Sequence, residues 1–151
     1  MDILPANLRD LGGLHRVEQA CFLQDAWPLL DLIAVLTWPD VVRLKALEGG
    51  RMFGFIAGDP RPSENMAWIA TVGVLPAYQR QGIGRALLRA CEQRLTQNSI
   101  RLCVRVSNEP AIRLYRREGY LTLDTWREYY DDKENALVME KIRQADRRVG
   151  L

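Results

Sequence analysis

One stretch constrains this chain more than any other: Val72-Gly73-Val74-Leu75-Pro76-Ala77-Tyr78-Gln79-Arg80-Gln81-Gly82-Ile83-Gly84-Arg85-Ala86-Leu87-Leu88. An apolar, valine-rich run is stopped by a proline. A polar, glycine-bearing loop follows. Ile83, Ala86, Leu87, Ala90, Cys91 and Leu95 then recur at helical spacing. The segment reads strand, turn, loop, helix. Gly82 and Gly84 remove side chains where backbone must approach a ligand. The loop opens on a helix N-terminus, where free N–H groups and the positive dipole end favour a phosphate or pyrophosphate. Arg80 and Arg85 add positive charge. On residues alone, an ordinary strand-to-helix turn with an Arg-rich helix face stays open beside the anion site.

Other phosphate motifs fit this stretch worse. A dinucleotide fingerprint needs a third glycine where Leu87 stands, and an acid ending the next strand. A P-loop needs Gly-Lys-Ser/Thr, and the loop holds no lysine.

Charge is concentrated in the same region. The whole chain carries a formal net charge of only +2 over 151 residues. Residues 79–117 hold nine arginines against two glutamates, a net of +7, between flanks of −3 and −2. That pattern points to a local anion site in an otherwise acidic protein. Arginine outnumbers lysine 18 to 3, which fits a codon bias of the source genome before it argues for bidentate phosphate contacts. The basic segment lacks interleaved exposed aromatics, so nucleic acid is not the expected partner.

The rest of the composition excludes several chemistries. The single histidine, His15, reads as a packed or surface residue, which argues against Ser-His-Asp or Cys-His catalysis. Cys21, Cys91 and Cys103 form no C-x-x-C pair, so neither a disulfide framework nor a zinc site is expected. The longest apolar run, Leu29 to Leu36, is broken by Asp31 and is too short for a membrane span. Met1 to Pro5 shows no leader pattern, and the cytoplasm is the expected compartment.

The length suggests one domain, expected over residues 1–143, with a polar tail at 144–151. Met1 to Leu4 reads as a short edge strand, and Asn7 as the cap of a first helix weakened by Gly12-Gly13. A second helix holds Leu29 to Leu36. Val41 to Leu47 and Met52 to Ala57 read as strands joined at Gly49-Gly50. Asp59 to Ser63 reads as a loop, and Met66 to Val74 as a long strand. After the Gly82 helix come a strand over Arg101 to Val106 and a short helix capped by Asn108 and ended by Gly119. Leu121 to Trp126 and Ala136 to Ile142 complete the order β-α-α-β-β-β-α-β-α-β-β. The expected fold is mixed α/β: a seven-stranded, mostly antiparallel sheet flanked by about four helices.

Gln79, Gly82 and Gly84, following a strand that ends Val-x-Pro, form Gln-x-x-Gly-x-Gly. With this motif the chain resembles the GCN5-related N-acetyltransferase (GNAT) superfamily. A second block, Asn108-Glu109-Pro110-Ala111-Ile112-Arg113-Leu114-Tyr115-Arg116-Arg117-Glu118-Gly119-Tyr120, is similar to the family's Asn-x-x-Ala-x-x-Leu-Tyr-x-x-x-Gly-Phe segment. A third, Tyr129-Tyr130 followed by Glu134-Asn135-Ala136-Leu137-Val138-Met139, resembles the RimI and Ard-type branch, which acetylates protein N-terminal α-amines.

The resemblance implies acetyl-CoA as cosubstrate, with no metal. It implies that Val72, Gly73 and Val74 line the pantetheine and thioester, with the Val74 N–H polarising the carbonyl. Arg80, Gln81, Gly82, Ile83, Gly84 and Arg85 would wrap the pyrophosphate, and Asn108 would touch the cofactor. Tyr115 would be the general acid that returns a proton to the CoA thiolate; its alternative is an apolar-face aromatic that simply packs. Tyr129 and Tyr130 would grip the acceptor peptide, with Trp27 and Pro28 near the same cleft; the alternative for the tyrosines is anchoring a hairpin. Asp131, Asp132 and Glu134 would attract a cation or form a solvated turn. The expected acceptor is a protein or peptide N-terminus or a small amine, with no nucleic acid, no membrane and a homodimer left open.

The expected general base is missing. The RimI-like pattern places a glutamate in a Leu-Glu-Val-Arg run, and here that run is Leu102-Cys103-Val104-Arg105. A water chain, another acid such as Glu64 or Asp25, or a weakly active acetyl-CoA-binding module are the three readings. An α-amine titrates near 8 and a lysine near 10.4, so roughly 200- to 300-fold more α-amine is neutral at pH 7. A weak base therefore harms an N-terminal substrate least. Acetylation of a small amine or lysine is the other enzymatic reading.

Overall fold

The computed structural model describes residues 1–143; the tail expected from Gln144 lies outside them. The elements follow the expected order: β1 (Asp2–Pro5), α1 (Leu11–Cys21), α2 (Leu29–Thr37), β2 (Val42–Glu48), β3 (Arg51–Arg61), β4 (Met66–Val74), α3 (Ile83–Arg94), β5 (Ser99–Arg105), α4 (Glu109–Arg117), β6 (Leu121–Trp126) and β7 (Ala136–Ile142). The seven strands form one sheet in the order β1-β2-β3-β4-β5-β7-β6. The β1–β2, β2–β3, β5–β7 and β6–β7 pairs are antiparallel, and β4–β5 is parallel.

Local chemistry explains most boundaries. Gly49 and Gly50 both take positive φ, 58° and 75°, which a two-residue hairpin turn of primed type requires. Asn108 accepts from the Ala111 N–H at 3.3 Å and starts α4, with Pro110 in the first turn. Two expectations are corrected. Asn7 caps a 3-10 turn, Leu8–Asp10, that leads into α1. β3 continues to Arg61, through the expected loop. Its register with β2 ends at Gly58, so Pro60 removes no N–H needed there.

The chain divides into two compact units. The first comprises residues 1–60 and 70–95. In it α1 and α2 bury Leu14, Val17, Leu32, Val35 and Leu36 with Met52, Phe55 and Ala57 of β3. A Cβ at Gly54 would lie 3.0 Å from Leu87, and one at Gly58 would lie 2.8 Å from Cys91 Sγ. These glycines let α3 approach β3 closely.

The second unit comprises, among the described residues, 61–69 and 96–143. Met66, Ala67 and Trp68 of β4 pair with Ser99, Ile100 and Arg101 of β5. Leu102, Val104, Tyr120, Val138 and Met139 are buried in it. Glu140 Oε2 accepts from Ser99 Oγ at 2.7 Å and from Arg101 Nε at 2.8 Å, tying β5 to β7.

Candidate active site

In the first unit the end of β4 is held from two directions. The Val74 carbonyl accepts from Gln79 Nε2 at 2.9 Å and from Cys21 Sγ at 3.2 Å. Gln79 of the motif thus folds the loop back onto the strand end. The Leu75 N–H donates to Phe53 at 2.8 Å, and Tyr78 stacks on Phe53 at 4.7 Å. Gly82 has φ 80° and is the N-cap of α3, with no side chain capping the first turn. Arg80 also takes positive φ, 66°. The α3 N-terminus at Ile83 and Gly84 therefore has no side-chain cap from Gly82 and stands beside a strongly turned, exposed loop, which suits an anion.

Gly73 has a local reason to lack a side chain. A Cβ there would lie 3.2 Å from Cys21 Sγ and 3.3 Å from Phe22 Cε2. The close approach is made by the end of α1.

The same helix delivers a carboxylate that the motifs did not mark. Glu18 is 2% exposed, and its Oε1 accepts from the Thr71 hydroxyl at 3.2 Å. Burial pushes its carboxyl up to about 7, opposed by the Thr71 bond. Burial first, then the Glu18 charge, push the Cys21 thiol up to about 11.

In the second unit Tyr115 is buried on α4, edge-on to Tyr120 at 6.1 Å. Burial pushes its hydroxyl up to about 12. Cys103 is half-buried on β5, and burial pushes its thiol up to about 11. A thiol held there stays protonated at neutral pH and is not a base. Asn108 is exposed, with its side chain engaged as the α4 cap.

Tyr129 and Tyr130 follow β6 and meet edge to face at 5.0 Å. Tyr129 also touches Trp126, which touches Trp68, at 5.4 and 5.9 Å. Burial first, and Cys103 second, push the Tyr129 hydroxyl up. Arg105 lies over the Tyr130 ring at 4.2 Å. It also pairs with Asp132 at 2.9 Å and Glu134 at 2.7 Å. The Ser107 N–H donates to Glu134 at 2.9 Å. Asp132 and Glu134 are thus fasteners of this loop.

The remaining sequence candidates are placed as follows. Glu64 is exposed in the 3-10 turn Pro62–Glu64, and Asp25 is half-buried in the turn after α1. Trp27 lines a cavity of about 210 Å³ with Asp31, Val35, Trp38, Asp59 and Ala70; Pro28 precedes α2. His15 is exposed. Among the described residues no cluster of His, Cys, Asp or Glu could hold a metal ion, and no helix is long and apolar enough to cross a membrane.

Glu18, Thr71, Cys21 and Arg105 are the residues that motif reading missed. One signal was present for Glu18. It stands one helical turn after Leu14 and one before Cys21, a carboxylate on an otherwise apolar stripe.

Comparison with known proteins agrees with this arrangement. The profile described as Acetyltransferase (GNAT) family matches residues 12–120. An N-alpha-acetyltransferase of Sulfurisphaera tokodaii is 40% identical over 75 residues, which cover 47% of this chain and 45% of that protein. The N-alpha-acetyltransferase RimI of Mycobacterium tuberculosis is 35% identical, over 70% of this chain and 68% of that one. The first of these matches thus spans less than half of the relative's length. Among solved structures, the ribosomal-protein-S18-alanine N-acetyltransferase from Escherichia coli superposes with a TM-score of 0.86 at 27% identity, covering 97% of this chain and 96% of that one.

Proposed function

The chain belongs to the acetyltransferase (GNAT) family, and from that premise we propose that it transfers the acetyl group of acetyl-CoA to the N-terminal α-amine of a protein or peptide. The observation that carries this reading is the end of β4 running into an uncapped α3 N-terminus. Val72, Gly73 and Val74 lie beyond the three-residue parallel register of β4. Their backbone is where a pantetheine and thioester would be held. Gln81 to Arg85 offer N–H groups and positive dipole to the pyrophosphate, with Arg80 adding charge. An exposed Asn108 beside the α4 start is available to the cofactor.

The amine nitrogen attacks the thioester carbonyl carbon, the C–S bond breaks, and the sulfur leaves with the bonding pair. The Val74 N–H stabilises the negative charge that gathers on the carbonyl oxygen. Tyr115 supplies the proton that makes the thiolate a thiol. Its hydroxyl, pushed up to about 12, still carries that proton at neutral pH. Tyr129 and Tyr130 grip the acceptor's backbone. The α-amine is favoured over lysine because Cys103 stands where a glutamate base is expected, and an α-amine needs the least help to lose its proton.

Thiol release with acetyl-CoA and a panel of N-terminal peptides, lysine peptides and polyamines tests the reading. The N-terminal peptides alone should free CoA. Tyr115→Phe should lower kcat by about 10²-fold and leave the KM for acetyl-CoA unchanged. Tight acetyl-CoA binding with no release for any amine would point instead to a sensor.

A further inference from the structure

We propose that Glu18 is the general base of this transfer, taking the proton from the acceptor's ammonium group. The proposal rests on the acetyltransferase reading above and fills the role that the protonated Cys103 leaves open. The last turn of α1 is laid along β4. Glu18 meets Thr71 at 3.2 Å, and Cys21 meets the Val74 carbonyl at 3.2 Å. The carboxylate is therefore anchored on the residue that immediately precedes Val72–Val74, the stretch assigned to the thioester.

Burial argues in the same direction. Glu18 is 2% exposed and has no ion-pair partner among the described residues. Leu14 and Val17 are the other buried residues of α1, and an apolar side chain at position 18 would avoid the cost of a desolvated carboxylate. An acid kept in such a place is a candidate for chemistry. Oε1 is held by Thr71. Oε2 has no hydrogen bond among the described residues, and it is not one of the sealed, unpartnered atoms, Arg16 Nε and Gln97 Oε1. Oε2 is thus the carboxylate oxygen left to take a proton.

The groups around Glu18 leave its ionisation to burial. On its own helix the titratable groups one turn away are Cys21 and the exposed His15. β4 presents the neutral Thr71 hydroxyl. α2 carries one charged residue, Asp31, which lines the Trp27–Trp38 cavity. In the 3-10 turn before α1, Asp10 is bonded to Lys45 at 2.7 Å. Arg16 of α1 is turned to the Met52 carbonyl of β3 at 2.5 Å. A carboxyl near 7 is well matched to an α-amine near 8.

The protons balance. One N–H bond of the ammonium breaks and an O–H bond forms on Oε2, leaving the nitrogen its lone pair for attack. A second N–H proton is lost as the amide forms and, through solvent, replaces the one that Tyr115 gives the thiolate. Glu18 releases its proton to solvent.

The test is thiol release with an N-terminal peptide as a function of pH, for wild type, Glu18→Gln and Glu18→Asp. Glu18→Gln should lower kcat at pH 7 by about 10²-fold with the KM for acetyl-CoA unchanged. Its acidic limb should move from near 7 to the amine's own value near 8, and Glu18→Asp should recover part of the rate. A folded Glu18→Gln with the wild-type kcat and limb would overturn the proposal alone. Should Glu18→Gln fail to fold, Glu18→Asp decides: an unshifted limb overturns it. A wild-type protein that acetylates no amine would instead overturn the transfer reading, and this proposal with it.

Discussion

The Thr71 hydroxyl donates to Glu18 Oε1 at 3.2 Å, across 53 residues of sequence. It opposes the burial that raises this carboxyl to about 7. A hydrogen bond to an ionised oxygen contributes about 1.5–3 kcal/mol. Thr71→Val removes the donor and keeps the shape. The carboxyl should rise by about one to two units, and the acidic limb of the rate profile should move to higher pH. A limb that stays in place would detach Thr71 from the titration.

Glu18 also sets a slope in stability. Its folded-state value lies above its ordinary value of 4.5. Between those values the native state binds more protons than the unfolded chain, so stability falls as pH rises from about 4.5 through about 7. Above that range the loss is complete, on the order of 3 kcal/mol. Urea unfolding should show Glu18→Gln more stable than wild type at pH 8 and equal to it at pH 4. Equal stability at both pH values would remove the slope.

Cys103 should be chemically quiet. With its thiol raised from 9.0 to near 11, its thiolate fraction at neutral pH is about 100-fold below that of a free cysteine. Iodoacetamide should label it slowly, as followed by mass spectrometry. Cys103→Ala should leave kcat and its pH dependence within about two-fold, since packing at one site is all it loses. Rapid labelling of Cys103 in the folded protein would contradict this.

Arg105 is the hub of the loop after β6. It pairs with Asp132 and Glu134 and covers Tyr130. The Glu134 N–H first, then Arg105, hold the Asp132 carboxyl below the usual carboxylate range. Ser107 first, then Arg105, do the same for Glu134. Arg105→Ala frees the loop, and on the proposed function this loosens the hold of Tyr129 and Tyr130 on the acceptor. The KM for the peptide should rise by about ten-fold, with the KM for acetyl-CoA unchanged. Steady-state kinetics with each substrate varied in turn separates the two.

What the sequence by itself determined here is the local grammar. The Gly49-Gly50 turn, the Asn108 cap, the Gly82 start of α3 and the order of eleven elements rest on residues within a few positions of each other. Backbone sterics and capping act at that range, so spacing alone conveys them. The Gln-x-x-Gly-x-Gly loop belongs to the same class. Strand ends such as that of β3 depend on partners elsewhere, and local spacing does not convey them. The tertiary structure alone decided which acid is buried. Glu18 and Thr71 meet only when α1 packs along β4, and desolvation depends on everything that surrounds a group rather than on its neighbours in the chain. Within the first unit, packing of the end of α1 also lets Cys21 and Phe22 explain Gly73; within the second, burial holds the Cys103 thiol protonated, and folding turns the acids after β6 from a charged run into the partners of Arg105.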